Sequence, residues 1–178
     1  MRKAIIILAT FFLVSADWVR MPVVQDPNNA NAKIKATLIY NFTKYIDWPD
    51  EYKEGNFVIG VLGTTTFYND LTVLLSKKNV GEQKFEIKSF SSVESITGNC
   101  HILFIPAVNS NLVPDVIRRM KGKSTLIVTE KPGMAKQGSG INFVVENNKQ
   151  RFELNKTNIE KYDMKVSSTL ASLAIPVE

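Results

Sequence analysis

The chain has 178 residues but a single cysteine, Cys100, and a single histidine, His101, and the two are neighbours in the sequence. One cysteine cannot form a disulfide within the chain, so the stability of the fold must come from its core. A zinc site needs three or four ligands, and adjacent residues of a strand point to opposite faces. We therefore expect a buried, inert thiol at Cys100, no metal and no cofactor.

Catalytic motifs are equally scarce. No serine stands in a G-x-S-x-G motif, so acyl transfer would have to depend on His101 as its base. Because His101 opens the apolar run HILFI, a hydrogen-bonded structural histidine is the favoured interpretation. A hydrolase that uses His101 is the enzymatic alternative. We predict a protein without catalytic residues.

The charges do not favour a nucleic-acid partner. The formal net charge is +5, but two of the positive charges, Arg2 and Lys3, precede an N-terminal apolar segment. The other lysines are scattered among acidic residues and do not form the concentrated basic stripe that phosphate binding needs. We therefore expect a solvated surface and no nucleic-acid partner.

The N-terminal apolar run, residues 4–14, is too short to be a typical membrane span, which needs about 20 apolar residues. It follows basic residues and precedes the small residues of VSA, which is the pattern of a secretory signal peptide. We predict a cleaved signal peptide over residues 1–16, a polar leader over residues 17–31 and one domain over residues 32–175. An uncleaved anchor is the alternative.

The segment NAKIKATLIYNFTKYIDWP is predicted to form an amphipathic helix. Ile34, Leu38, Phe42 and Tyr45 would form its buried stripe, and Pro49 would end the helix because the residue before a proline avoids the helical region. The same stretch is rich in aromatic side chains, which belong either to the core or to a partner-binding face. These four candidates are Tyr40, Phe42, Tyr45 and Trp48.

Strands and helices then alternate along the chain. Predicted strands at residues 56–63, 85–90, 101–107 and 124–130 are separated by helical segments over TTTFYNDLTVLLSKKN and NLVPDVIRRMKGK. Strands joined by helices imply right-handed βαβ units. The predicted fold class is α/β, a single domain with a largely parallel sheet covered by helices on both faces.

Residues 141–154 break this pattern, because they hold two strands with no room for a helix between them. We predict a C-terminal antiparallel hairpin. Arg151 and Glu153 share one face of its second strand, opposite Phe152 and Leu154. They form either a surface ion pair or a recognition site. Beyond the hairpin, Asn155 and then Ser167 or Ser168 are expected to cap two short helices.

The sequence GVLG, at the end of the first predicted strand, leads into a helix and raises the possibility of a phosphate cradle. Its glycines are spaced G-x-x-G, with neither a third glycine nor a following GK[ST], so a tight strand-to-helix turn is the favoured interpretation. The alternative to an interaction protein is thus a binding module for a small anion or nucleotide-like ligand. Its lining would be Gly60, Gly63, Thr64 and Thr65.

The ordered set of KATLIYNFTKYIDWP, FVIGVLG, CHILFI and GINFVVENNKQRFELNKTNIEKYDMKVSSTLASLA resembles the YfiR family. This resemblance implies a periplasmic, non-enzymatic regulator that represses a membrane-bound diguanylate cyclase by binding its periplasmic domain. It also implies sequestration by an outer-membrane lipoprotein and a homodimer, while a distant member could serve another sensor such as a sensor kinase. Tyr40, Phe42, Tyr45, Trp48, Arg151 and Glu153 are our interface candidates. The founding members carry disulfides, which the solitary cysteine of this chain does not allow.

Overall fold

The computed structural model describes residues 27–178, with side chains from residue 31 onward. The predicted signal peptide, residues 1–16, and residues 17–26 of the predicted leader lie outside the described residues. The last residues of that leader are helical, because the first helix begins at Pro27.

Five α-helices and ten strands make up the described part of the chain. The helices are α1 (Pro27–Tyr45), α2 (Phe67–Leu75), α3 (Val113–Arg119), α4 (Lys156–Glu160) and α5 (Ser168–Leu173). The strands are β1 (Ile46–Asp47), β2 (Phe57–Leu62), β3 (Asn79–Val80), β4 (Gln83–Phe90), β5 (Ile102–Ile105), β6 (Leu126–Thr129), β7 (Ile141–Glu146), β8 (Lys149–Leu154), β9 (Lys165–Val166) and β10 (Ile175–Pro176). Two 3₁₀ helices cover Asp50–Tyr52 and Ala107–Leu112.

Eight of these strands form one sheet in the order β10-β8-β7-β6-β5-β2-β4-β3, and β1 and β9 form a separate ribbon. The five strands β4, β2, β5, β6 and β7 run parallel to one another, whereas β8 is antiparallel to β7 and β3 is antiparallel to β4. The chain first moves from β2 to β4 and then returns to β5 on the other side of β2. The predicted α/β class, the largely parallel sheet and the C-terminal hairpin are confirmed.

Two hydrophobic clusters cover the two faces of the sheet, as predicted from the continuous apolar strands. On the first face, Ile59, Phe104 and Val128 pack with residues of α1 and α2. On the second face, Leu103 and Ile127 pack with residues of α3. Neighbouring residues of one strand therefore belong to different clusters.

The buried face of α1 differs from the predicted stripe. Ile34 is 45% exposed, whereas Ala36 and Ile39 are buried beside the correctly predicted Phe42. The helix ends at Tyr45, before Pro49, because β1 follows at once and pairs with β9. Small side chains such as Ala36 allow the helix to lie close to the sheet, and hydrophobicity alone does not predict that preference.

The hairpin and the helix caps follow local sequence. Asn147 and Asn148 occupy the two-residue turn with φ of 50° and 58°, which is a conformation that asparagine tolerates. The Asn155 side chain accepts a hydrogen bond from Asn158 N, and the Ser167 side chain accepts one from Leu170 N. Both predicted caps are therefore present, and Ser167 rather than Ser168 is the second.

Candidate functional site

A cleft of about 290 Å³ opens at the carboxyl edge of the sheet, on the face that α1 covers. Open α/β sheets place their ligands at this edge, next to the point where the strand order reverses. Here that point lies between β2 and β5. The lining residues come from α1, the turn before α2 and the ends of β5, β6, β7 and β8, and they are Asn31, Ala32, Lys35, Thr65, Thr66, Phe67, Phe104, Glu130, Phe143, Val144, Val145 and Gln150.

An ion pair crosses the cleft. Lys35 Nζ lies 2.5 Å from Glu130 Oε2, and the two side chains are 20% and 19% exposed. The other carboxylate oxygen, Oε1, accepts a hydrogen bond of 3.0 Å from the backbone N–H of Ala107. Because Glu130 directly follows β6, the parallel sheet fixes its position. Both of its oxygens are used, so the carboxylate is held in one orientation.

Aromatic side chains line the base of the cleft. The centroid of the Phe104 ring lies 4.6 Å from that of the Phe67 ring and 6.3 Å from that of the Phe143 ring. The Lys35 ammonium group also lies 5.9 Å from the centroid of the Phe67 ring. The cleft therefore joins a charged pair to an apolar base, which suits a ligand or a partner side chain with both characters.

Two exposed valines are associated with the cleft: Val145 is part of its lining, and Val108 follows Ala107, whose N–H donates to Glu130. Val108, which follows β5 next to Ala107, is 82% exposed, and Val145 at the end of β7 is 64% exposed. Gln150 lies opposite Val145 in the hairpin and donates hydrogen bonds to the carbonyl oxygens of Val144 and Arg151. Val108 and Val145 together are called the valine rim below.

The glycines predicted to line a ligand site do not line the cleft. Gly60 lies within β2, where an added Cβ would come 2.7 Å from Phe90 and 2.9 Å from Leu103. Its role is close packing on the second face of the sheet. Gly63, with φ of +87°, makes the tight turn that the simpler interpretation predicts. Of the predicted set, Thr65 lines the cleft and Thr64 is exposed outside it.

Two of the four aromatic interface candidates lie in the core. Phe42 is fully buried against Phe143 and Phe152, and Trp48 is 4% exposed. Neither can contact a partner from the surface in this conformation, so both are removed from the candidate interface. Tyr40 and Tyr45 are half-buried. The ring of Tyr40 is near two ammonium groups, at 4.3 Å from Lys44 Nζ and 4.7 Å from Lys78 Nζ.

Arg151 and Glu153 do not form the surface ion pair with each other that is one of the two predicted alternatives. Arg151 Nη1 lies 3.5 Å from Glu146 Oε2, and Glu153 Oε2 accepts a hydrogen bond of 2.8 Å from Asn142 Nδ2. Each residue therefore has its own partner. Because Phe152 packs on the α1 side, Arg151 and Glu153 lie on the opposite face from Tyr40 and Tyr45, and the two candidate sets do not share one surface.

His101 and Cys100 are structural residues. The Nδ1 atom of His101 accepts a hydrogen bond of 3.0 Å from Val58 N, and Nε2 lies 2.6 Å from Tyr52 O. His101 is 3% exposed, and burial lowers its pKa. Burial also raises the pKa of the Cys100 thiol to about 12. The predicted structural histidine and buried thiol are confirmed. The hydrolase alternative is not supported, because a substrate in solvent cannot reach the buried His101 side chain.

The described residues contain no cluster of three or more side chains that could hold a metal ion. Within residues 27–178, moreover, none of the helices has the length and apolar character needed to cross a bilayer.

Sequence reasoning did not identify Lys35 and Glu130. Glu130 had a usable signal, because it is the charged residue that ends the predicted strand at 124–130, where the carboxyl edge of the sheet must lie. Lys35 had none, since its position depends on how α1 crosses the sheet.

Comparisons with known proteins place the chain in a family. A solved structure described as the ABC domain in complex with L-Trp from Streptococcus pneumonia is similar in fold, with a TM-score of 0.58, 13% sequence identity and coverage of 83% of this chain. The match spans 60% of that longer protein. No curated protein matches the chain. Residues 32–175 match the YfiR/HmsC-like family, as the sequence resemblance predicted. The chain therefore belongs to the YfiR/HmsC-like family.

Proposed function

We propose that this protein is an exported, non-enzymatic regulator that binds the periplasmic domain of a membrane-bound signalling protein and represses or tunes it. The observation that carries the proposal is membership of the YfiR/HmsC-like family over residues 32–175. That family suggests a diguanylate cyclase as the regulated protein, with a sensor kinase as the other possible target. An outer-membrane lipoprotein that sequesters the regulator would be its second partner.

The chemistry of the described residues supports interaction rather than turnover. The side chains best suited to nucleophilic or acid-base catalysis, Cys100 and His101, are buried and hydrogen-bonded within the core. The charged groups at the cleft, Lys35 and Glu130, form an ion pair with each other. A carboxylate whose two oxygens already accept from Lys35 and from Ala107 N–H serves better for recognition than for proton transfer.

The valine rim and the cleft beside it are the contact surface that we propose for the cyclase domain. Exposed Val108 and Val145 supply apolar anchors, and Lys35, Glu130 and Gln150 supply polar groups around them. An apolar centre with a polar surround is the usual arrangement of a protein interface. Arg151 and Glu153 remain candidates for a separate contact on the other face of the hairpin.

The test uses the purified protein and the periplasmic domain of a cyclase encoded beside its gene. We expect a complex in calorimetry and a higher cyclic-di-GMP level in cells that lack the protein. Val108→Asp and Val145→Asp should weaken the complex, whereas Val73→Asp should not, since Val73 is 77% exposed on α2, away from the cleft. Unchanged cyclic-di-GMP and no complex would contradict the proposal. A complex insensitive to both rim variants would contradict only the choice of surface.

A second candidate function, a binding module for a small ligand, is favoured by the cleft itself. Its volume of about 290 Å³ is close to the lower end of ligand pockets, and it joins a charged pair to an aromatic base. The structurally similar ABC domain was solved in complex with L-Trp. Thermal-shift measurements with amino acids, nucleotides and inorganic anions test this function, with Lys35→Met and Glu130→Gln as binding variants. No shift with any of these probes would contradict it and leave the first proposal intact.

A further inference from the structure

A second pocket, of about 310 Å³, lies at the amino edge of the sheet, opposite the cleft. Phe57 is the first residue of β2 and Gln83 the first of β4, and both line this pocket together with Trp48, which follows β1. Because β2 and β4 are parallel, their first residues lie at the same edge of the sheet. This space is called the amino-edge pocket below, and it shares no lining residue with the cleft.

Trp48 carries the one buried side-chain nitrogen or oxygen of the described residues that has no hydrogen-bond partner, its indole Nε1. The residue is 4% exposed. His101 lies beside it, with ring centroids 6.1 Å apart, but Nδ1 of His101 accepts from Val58 N and Nε2 lies 2.6 Å from Tyr52 O. Neither nitrogen of His101 can therefore accept from the indole. A buried N–H without an acceptor is rare and costly, and the amino-edge pocket is the open space beside this one.

The floor of the amino-edge pocket is apolar. Phe57 is 1% exposed and Ile46 is 4% exposed, and the Phe57 ring meets that of Trp48 edge to face, with centroids 5.1 Å apart. Gln83 adds a polar group, because its Nε2 donates to Tyr52 O at 3.0 Å and its Oε1 remains for a donor in the pocket. The pocket therefore offers one donor and one acceptor beside an apolar floor.

The mouth of the amino-edge pocket is acidic. Asp47 and Glu82 line it beside a single cation, Lys53. Lys53 Nζ lies 3.2 Å from Asp47 Oδ1 and 3.0 Å from Asp50 Oδ1, so two carboxylates already share its charge. A carboxylate or phosphate ligand would meet more negative than positive charge here. The pocket therefore disfavours the anions that are candidate ligands of the cleft.

We propose that the amino-edge pocket binds a small neutral amide with an aromatic or aliphatic body. Its carbonyl oxygen accepts from Trp48 Nε1, its N–H donates to Gln83 Oε1, and its apolar body packs on Phe57 and Ile46. A carboxamide is the simplest group that supplies an acceptor and a donor without a net charge. Such a ligand gives the buried indole N–H the partner that no described residue provides. The site is independent of the cleft and of the contact surface proposed above.

Three compounds with the same ring and different head groups test this site: benzamide, benzoate and benzylamine. Trp18 and Trp48 are the two tryptophans of the chain, so in isotope-labelled Trp18→Phe protein Trp48 gives the single indole N–H signal in NMR spectra. We expect benzamide to move this signal to lower field with a dissociation constant of about 1 mM, which suits a ligand of this size. Benzoate should bind about tenfold more weakly because of the acidic mouth. Benzylamine has no acceptor and should leave the indole signal in place.

Two variants separate the role of the indole from that of the mouth. Trp48→Phe keeps a ring and removes the donor, so it should weaken benzamide binding about five- to tenfold, followed through the backbone N–H signal of Gly81, which lines the pocket. Glu82→Lys should raise the affinity for benzoate about tenfold and leave that for benzamide unchanged. The control, Glu178→Lys, makes the same charge change beyond β10, at the opposite end of the sheet, and should change neither affinity.

An indole signal that benzamide does not move at about 10 mM would overturn the proposal. Equal shifts with all three compounds would also overturn it, since the ring would then bind without the amide. Shifts confined to residues around Lys35 and Glu130 would place the amide in the cleft and count against the amino-edge pocket in the same way. If circular dichroism shows that Trp48→Phe does not fold, the three compounds and Glu82→Lys still decide the outcome.

Discussion

Lys35 and Glu130 are 95 positions apart in the chain, yet Lys35 Nζ lies 2.5 Å from Glu130 Oε2 across the cleft at the carboxyl edge of the sheet. The contact joins α1 to the end of β6. It therefore reports on whether the helix is docked on the sheet, and it sets the charge at the mouth of the cleft.

A double-mutant cycle measures this contact. With Lys35→Met, Glu130→Gln and the double variant, we expect a coupling energy of about 1 kcal/mol in urea unfolding, within the range of about 0.5–3 kcal/mol for contacting residues. The physical reason is partial burial, which weakens solvent screening of the pair.

The control for that cycle is Lys156–Glu160, an i,i+4 pair whose side chains are 57% and 40% exposed. Exposed helix pairs contribute about 0.3–0.5 kcal/mol. Equal coupling energies in the two cycles would show that the Lys35–Glu130 pair contributes no more to the stability of the fold than an exposed ion pair does.

Loss of stability in acid should depend in part on His101. Burial lowers the pKa of His101 in the folded state below its ordinary value of 6.5. As the pH falls below that value, the unfolded chain takes up a proton that the folded chain resists, so the free energy of unfolding decreases. Above about pH 6.5 this contribution to stability is fully present.

The measurement compares wild type with His101→Gln by urea unfolding at about pH 7.5 and about pH 5.5. The variant should be less stable at the higher pH by about 1–3 kcal/mol, because the buried N–H of Val58 loses its acceptor. Its stability should also fall less between the two pH values. An identical decrease in both proteins would mean that His101 does not titrate differently on folding.

Cys100 should resist thiol reagents in the folded protein. Burial raises the pKa of its thiol to about 12, and its Sγ lies 2.8 Å from Ile102 O in the core. At neutral pH we expect the rate of reaction with an aromatic disulfide reagent to follow the rate of global unfolding, and the thiol to react at once in denaturant. Rapid labelling under native conditions would show that this part of the sheet opens locally.

Gly60→Ala should destabilise the fold. An added Cβ would lie 2.7 Å from Phe90 Cε2, 2.9 Å from Leu103 Cδ1 and 3.0 Å from Cys100 Sγ. Overpacking of this kind costs about 1–3 kcal/mol. Thr64→Ala is the control, because Thr64 is exposed a few residues later and should change stability by less than about 0.5 kcal/mol. A neutral Gly60→Ala would mean that the second-face cluster has room to move.

Much of the fold was predictable because its signals are local. The apolar runs that became β2, β5 and β6, the Asn-Asn turn and the caps at Asn155 and Ser167 are set by residues within a few positions of each other. The order of the five parallel strands was not predicted, since it depends on which strands lie side by side. The ordered set of motifs was also enough to place the chain in the YfiR/HmsC-like family.

The candidate site was much less accessible from sequence. Thr65 was predicted and lines the cleft, but Gly60 serves packing, and Phe42 and Trp48 belong to the core. An amphipathic pattern indicates that a helix has a buried face without fixing its centre. The buried face of α1 is centred on Ala36, Ile39 and Phe42 because these side chains fit the sheet beneath them.

The kinds of elements, the hairpin, the caps, the inert histidine and thiol, and the family could all be read from the amino-acid sequence, because each depends on local pattern or on the order of motifs. Four features depend instead on the packing of distant segments: which face of α1 is buried, the contact of Lys35 with Glu130, the opposite faces of the helix and hairpin candidates, and the pocket that Trp48 lines. These features arise where distant segments pack together, and the contact energy that selects them is not contained in any one segment.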